Sequence, residues 1–519
     1  MCGIVGSLGF ALSEEVAKPL MRQRGPDEFT SFQSDGVTFF HSRLKIIGKD
    51  SADARQPMTV NQKTLVCNGF ISNFLEIEGH ATSDCAAVLS VYEKYGCQGF
   101  GKLRGQFAVA ILDALRGRLI LARDHTGICP LYYHRPSVQS LVFASQAHWF
   151  SELLNGRKFP LDPEAVEQWR SFGYVISPKT LYRDVFAVRP GTALELSLAD
   201  GEIVDRHVFA SFQSADASAS KLRDKIDQAV GRNLQSDFPP WLLLSGGVDS
   251  LILLHCAVDR GIRPQTLTLA YPDNQNASEV ARARELADYY GCPWHVVPYQ
   301  IGEPRPRLFS HRVDWPMDFG SLLPKLAMAN YIRELDGKVV LGGSGADEIF
   351  GGYGRHRKRL ELLHDKKELS HDEERAYFRD AIGKLGGCDE EAFRVFREEK
   401  ASPRFNDPAF VYDWLEISEH HVLRLDSCFS NIGIEYRPPY HDFDLVSLAS
   451  RFPLAEKTSM QNPKKILKEA FSGEVAERFL QAPKQHLRFG GMGPNPEWQS
   501  KVWDTWILSQ RKERNRCPL

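Results

Sequence analysis

A cysteine at position 2 and a serine–glycine turn at 245–250 are the two places where residue type and spacing point to chemistry. The chain opens Met1-Cys2-Gly3-Ile4-Val5-Gly6. Removal of Met1, which a small second residue permits, leaves a thiol and a free α-amine on one residue. A nucleophile is then tethered to its own base, because an α-amine titrates near ~8 and accepts a thiol proton at neutral pH. Six residues alone read equally well as a chance Met-Cys start. The second place is Trp241-Leu242-Leu243-Leu244-Ser245-Gly246-Gly247-Val248-Asp249-Ser250. An apolar strand runs into a Ser-Gly-Gly turn, and a helix is expected from Asp249-Ser250. Glycine lets backbone approach phosphate, and the N–H groups of the turn and of the helix start bind anions. Asp249 adds a carboxylate suited to Mg²⁺ beside phosphate oxygens. The pattern GxxxxGK[ST] is absent, so this is not the usual NTPase loop.

The elements that must position these groups change character near residue 210. Before it come short β-rich runs: Val37–Phe40, Thr64–Cys67, Phe107–Leu112, Leu119–Ala122 and Leu141–Ala144, broken by Gly, Asp and Pro. Ser211–Ser220 reads as a linker leading to a helix cap. After it the pattern is strand followed by long helix, ending mostly helical. Residues 355–400 are dense in Arg, Lys, Glu and Asp at helical spacing and read as a solvated helical surface. At 519 residues the chain holds two or three domains. A net charge of -2 gives no electrostatic case for nucleic acid or a membrane surface. The ten cysteines form no CxxC pair, which argues against a zinc site and for a reducing compartment. No apolar run reaches the ~18–20 residues of a membrane span, and no signal peptide is evident. A cytoplasmic location is expected.

Further pieces of the first half gather around Cys2. Arg24-Gly25-Pro26-Asp27 follows a helix-like segment, and Arg43 is suited to a carboxylate because guanidinium binds it bidentately. Asn68-Gly69 offers a side-chain amide and a backbone N–H for an oxyanion. Ser83-Asp84 suits an ammonium, and Arg123–Tyr133 reads as a tight turn between strands. Singly, Asn-Gly is a hairpin turn and Arg43 a surface ion pair. In this order they resemble the class II glutamine amidotransferases, the N-terminal-nucleophile glutaminases, over roughly residues 2–200. The resemblance implies that Cys2 is the nucleophile and its own amine the base. It implies that Asn68 and Gly69 form the oxyanion hole, that Arg43 clamps the glutamine α-carboxylate, and that Asp84 holds its α-amine. Where that family reads Asn-Gly-Glu-Ile-Tyr-Asn, this chain reads Asn68-Gly69-Phe70-Ile71-Ser72-Asn73. Phe70 replaces an acidic residue, so glutamine binding is expected to be weaker or re-tuned.

The SGGxDS segment resembles the PP-loop of ATP pyrophosphatases, and with the first half attached the chain resembles the asparagine synthetase B family. The segments Leu341–Tyr353, Ser278-Glu279, Gly433–Asp442, Asn462–Lys468 and Ala482–Gln485 agree with it. The resemblance implies a two-domain α/β fold. An N-terminal αββα Ntn-hydrolase-type sandwich (2–208) and a linker (209–220) would precede an α/β PP-loop domain, adenine nucleotide alpha hydrolase-like, with a helical extension (221–519). It implies ATP contacts at Leu244, Ser245, Gly246, Gly247, Asp249, Ser250, Gly342 and Gly343, with Mg²⁺ on Asp249 and Asp347. Lys464 and Lys484 would stabilise phosphate or the amide-forming step. Glutamine, ATP and a small carboxylate are the expected partners, without nucleic acid or membrane, and a homodimer stays open. Ser344 stands where asparagine synthetases carry an acid and β-lactam synthetases a Tyr. With Glu435 it is assigned to the acceptor pocket, which Trp315 is expected to reshape. The expectation is an ATP-dependent amidotransferase whose acceptor is not aspartate. Authentic asparagine synthesis, a β-lactam-synthetase-like cyclase and a non-catalytic ATP-binding paralogue are the alternatives.

Overall fold

The computed structural model describes residues 1–482 apart from 35, 80, 82, 211, 213–217, 272–275, 300–312, 317–318, 364–365, 367–368, 383–393 and 395–407, together with Trp503 and Trp506. Lys484 lies outside the described residues.

Among the described residues the N-terminal half contains twelve strands: β1 (Gly3–Leu8), β2 (Glu28–Ser34), β3 (Val37–Arg43), β4 (Met58–Val60), β5 (Lys63–Ile71), β6 (Gly105–Asp113), β7 (Arg118–Arg123), β8 (Tyr132–Ser137), β9 (Ser140–Ala144), β10 (Val185–Ala187), β11 (Thr192–Ser197) and β12 (Ile203–Val208). They form two six-stranded sheets, ordered β10-β8-β9-β1-β3-β2 and β12-β11-β7-β6-β5-β4. All five β-rich runs seen in the sequence fall inside these strands. Strand alternation explains the layering. Ile4, Phe39 and Phe143 from one sheet meet Val66, Ala108, Leu121 and Leu194 from the other. The opposite faces are covered by helices. Val5, Phe40 and Val142 pack with Met21 and Trp149, while Cys67, Val109 and Ile120 pack with Ala87, Val88 and Val91. The central strands β3, β5, β6, β7 and β9 are therefore buried on both faces, which is why these runs read as nearly continuous rather than alternating.

The C-terminal half is built on a parallel sheet of β13 (Trp241–Leu243), β14 (Gln265–Ala270), β15 (Trp294–Pro298), β16 (Val339–Leu341) and β17 (Glu435–Arg437), in the order β15-β14-β13-β16-β17. The chain grows outward from β13 in one direction and then restarts on its other side with β16. That reversal opens a crevice beyond the carboxyl ends of β13 and β16, where open α/β sheets bind ligands. The Ser-Gly-Gly turn follows β13, and Gly342-Gly343-Ser344 follows β16. Ser218 caps the helix Ala219–Asn233, as the linker reading expects, its side chain accepting from the Lys221 N–H. The helix after β13 begins at Val248, one residue before the expected start. Two described helices, Gly354–Leu363 and His371–Ile382, occupy the charged stretch. They are not simply a solvated surface: His356 and Arg359 are buried. His356 Nε2 lies 2.9 Å from Asp413 Oδ1, and Arg355 Nη2 lies 2.8 Å from the same atom. The density of charge in this sequence hides an inward-facing subset that finds its partners on another helix.

Candidate active site

Two chambers hold most of the residues singled out in the sequence. The first is lined by Cys2, Arg43, Gln56, Gly69, Phe70, Asp84, Glu435 and Arg437 among others. Cys2 sits at the edge of β1, and its Sγ accepts the Leu44 N–H at 3.4 Å. Burial pushes the thiol up to about 11, opposed by the adjacent terminal ammonium and by the Leu44 backbone. Arg43 closes β3 and is held by the carbonyls of Ile47 and Gly48 at 3.4 and 2.8 Å. Asn68 and Gly69 lie on β5 against β6. Gly69 has φ +146°, and a Cβ there would overlap the Gln106 backbone carbonyl, so no larger residue fits this register. The Asn68 amide is fully buried, and neither its nitrogen nor its oxygen has a hydrogen-bond partner. Asp84 Oδ2 accepts the Ile71 N–H at 2.9 Å. Burial raises its carboxyl to about 6; the Ile71 N–H opposes the rise and the nearby Glu435 carboxylate adds to it.

The second chamber is lined by Leu244, Ser245, Asp249, Ser250, Glu279, Gly342, Gly343 and Tyr436 among others. The Ser-Gly-Gly turn is braced internally: Ser250 Oγ accepts from Ser245 N at 3.2 Å, and Ser245 Oγ accepts from Gly247 N at 3.3 Å. Gly246 has φ +74°, which a glycine adopts without strain. Lys464, itself left-handed at φ +56°, delivers its ammonium to both aspartates. Nζ lies 2.6 and 2.5 Å from the two Asp249 oxygens and 2.8 Å from Asp347 Oδ1. Burial alone would lower this ammonium, but the carboxylates of Asp249 and Asp347 outweigh it and hold it raised. The approach depends on Gly352, where a Cβ would overlap Asp347 Oδ1 and Lys464 Cε. Two carboxylates converging on one buried cation form a hard-oxygen donor set that fits Mg²⁺. Asp249 and Asp347 are the residues that would hold it.

The residues assigned to the acceptor pocket are placed as follows. Glu435 does not line the second chamber. Strand β17 alternates, so Glu435 and Arg437 face the Cys2 chamber while Tyr436 faces the other. Ser344 follows Gly343 and is half-buried, but it is not among the residues lining the second chamber. Trp315 packs against Tyr132 of the N-terminal half at 6.2 Å between ring centroids, and Asp314 accepts from the His148 N–H at 2.8 Å. Asp314 and Trp315 thereby contact the N-terminal half.

The sequence offered no partner for Arg24, whose role is to join the halves. Its two terminal nitrogens each lie 2.8 Å from an oxygen of Asp426, 402 residues away, and its Nε donates to the Cys2 carbonyl at 3.1 Å. Asn431 Oδ1 accepts from the same guanidinium, and Gln146 Nε2 donates to Asp426 at 2.8 Å. Asp27 meets Lys338 at 2.6 Å. The Arg-Gly-Pro-Asp signal was visible, but its partners are separated from it by most of the chain.

A sandwich with a thiol chamber near its N-terminus, joined to a parallel sheet with a glycine-rich turn at its switch point, is the arrangement of a glutamine amidotransferase coupled to an ATP-using synthetase. Family models agree: residues 1–208 match the glutamine amidotransferase domain and residues 221–516 match asparagine synthase. The chain belongs to the asparagine synthase family, carbon–nitrogen ligases that use glutamine. It is 27% identical over 578 aligned positions to asparagine synthetase (glutamine-hydrolyzing) 1 of Bacillus subtilis, covering 98% of this chain and 89% of that one. It is 27% identical to asparagine synthetase B of Escherichia coli over 64% of this chain and 60% of that one. It is 28% identical to amidase chry2 of Gibberella zeae over 66% of this chain and 55% of that one. No described helix is long and apolar enough to cross a membrane.

Proposed function

We propose that the enzyme hydrolyses glutamine at Cys2 and transfers the ammonia to a small carboxylate, other than aspartate, that it activates with ATP. The observation that carries the glutaminase reading is the Asn68 amide, buried without a partner beside Gly69. An unsatisfied buried amide costs about 1–3 kcal/mol unless a ligand completes it. A tetrahedral oxyanion next to Cys2 accepts from its N–H₂ and from the Gly69 N–H. Once Met1 is removed, the α-amine of Cys2 takes the thiol proton. Burial lowers the Met1 terminal ammonium beside Cys2. Sγ attacks the glutamine side-chain carbonyl, ammonia leaves with that proton, and water cleaves the thioester to glutamate. Arg43 holds the α-carboxylate, and Asp84 holds the α-ammonium.

In the second chamber the turn at Ser245–Ser250 and the Gly342-Gly343 backbone cradle the ATP phosphates. The acceptor carboxylate attacks the α-phosphorus, and pyrophosphate leaves. Lys464 balances the charge that develops on the phosphate oxygens. Mg²⁺ on Asp249 and Asp347, when bound, supplies Lewis-acid neutralisation of the same charge. Ammonia then displaces AMP from the acyl adenylate. Ser344, next to the chamber-lining Gly343, puts a hydroxyl rather than a carboxylate in the loop after β16, and the choice of an acceptor other than aspartate rests on that substitution. Pyrophosphate release with ATP, Mg²⁺ and glutamine across a panel of carboxylic acids tests the reading. Saturable turnover with a non-aspartate acid is the expected result, and efficient asparagine formation refutes the acceptor assignment.

A further inference from the structure

Glutamine carries one positive and one negative charge at its α-carbon, and the Cys2 chamber offers matching groups from both halves of the molecule. Asp84 and Arg43 come from the N-terminal half; Glu435 and Arg437 come from β17. Phe70 contributes no charge. Its ring instead lies under the Arg437 guanidinium, 3.7 Å from centroid to Cζ. Arg437 is fully buried. Its Nη1 donates to the carbonyls of Asn233 and Gln235, and its Nε donates to Glu435 Oε1 at 2.7 Å. Its Nη2 is buried without a hydrogen-bond partner. The guanidinium is thus clamped between a ring, two carbonyls and a carboxylate. Glu435 is buried and is held by Arg437 at the wall of the chamber. Its field reaches the Met1 amine, Cys2 and Asp84, each of which it raises.

We propose that Glu435 is a binding residue for the α-ammonium of glutamine, acting with Asp84, and that Arg437 is its positioning residue. The glutamine pocket is then completed by the synthetase half. The idea rests on the glutaminase reading above. Phe70 and Glu435 both touch Arg437, so a carboxylate moved from position 435 to position 70 stays beside the same guanidinium and the same chamber.

The test is ammonia release from glutamine by the full-length enzyme, with glutaramic acid, which lacks the α-amine, as a competitive inhibitor. Glu435→Gln is expected to raise the glutamine KM at least about tenfold with kcat within about twofold, while the Ki of glutaramic acid stays within about twofold. The double variant Phe70→Glu/Glu435→Gln keeps Arg437 paired and is expected to fold even where the single variant does not. Its glutamine KM should fall within about threefold of the parent value. An unchanged KM in Glu435→Gln, equal losses for glutamine and glutaramic acid, or a double variant still tenfold weak overturns the proposal. If the parent enzyme releases no ammonia from glutamine, the glutaminase reading itself has failed, a result separable from any of these.

Discussion

Asp426→Ala is the most informative single perturbation, because one buried carboxylate ties the Cys2 segment to the C-terminal half. The Arg24 and Asp426 side chains are 1% and 2% exposed, so water cannot replace the lost partner. Breaking such a pair from one side costs about 3–5 kcal/mol, mostly the penalty of a stranded buried charge. At roughly 2–4 °C per kcal/mol, the first thermal midpoint should drop by about 6–20 °C. The charge-free double variant Arg24→Met/Asp426→Leu should recover part of this. It still leaves the Cys2 carbonyl, Asn431 and Gln146 each short of one hydrogen bond, at about 1 kcal/mol apiece. The double variant should therefore sit near 3 kcal/mol or less below the parent rather than at the sum of the two single losses. Differential scanning calorimetry reads the midpoints. Parallel assays of ammonia released and amide formed read the coupling, which should loosen in Asp426→Ala as ammonia escapes in excess of product. A single-variant loss under about 1 kcal/mol, or additive losses in the double variant, refutes the argument that a stranded charge dominates.

Cys2→Ala should abolish glutamine-dependent amide formation and leave ammonia-dependent formation largely intact; equal loss with both nitrogen donors would contradict the separation of the two chambers. Asp249→Asn and Asp347→Asn should each remove pyrophosphate release while ammonia release from glutamine persists, since both carboxylates grip Lys464 in the C-terminal half. Retained pyrophosphate release in either would rule that aspartate out as a ligand. Ser344→Glu should disturb turnover of the true acceptor more than glutaminase activity, provided calorimetry shows that it folds. The glutamine KM should rise as pH falls through about 6, because the raised Asp84 carboxyl becomes neutral there and no longer attracts an ammonium. A KM flat between pH 5 and 8 would exclude Asp84 from amine binding.

Much of the site was legible because its chemistry is local. Ser245–Ser250 works through backbone N–H groups and glycine torsions within six residues, so the motif carries its own geometry. Cys2 needs only its own amine. Strands β3, β5, β6, β7 and β9 were legible as elements because they are apolar runs bounded by turn residues and too short for helices. The facing of β17 was not. Three residues long, it gives no periodicity to read, and only its pairing with β16 sends Glu435 and Arg437 to one chamber and Tyr436 to the other. The partners of Arg24 and Phe70 were equally hidden. A guanidinium marks itself in sequence as a carboxylate binder, but which carboxylate it meets depends on how sheets distant in sequence dock. The sequence by itself determined which chemistries the chain possesses, through short motifs whose residues are neighbours. The tertiary structure alone decided which long-range groups share a chamber, because burial and charge pairing arise between segments hundreds of residues apart.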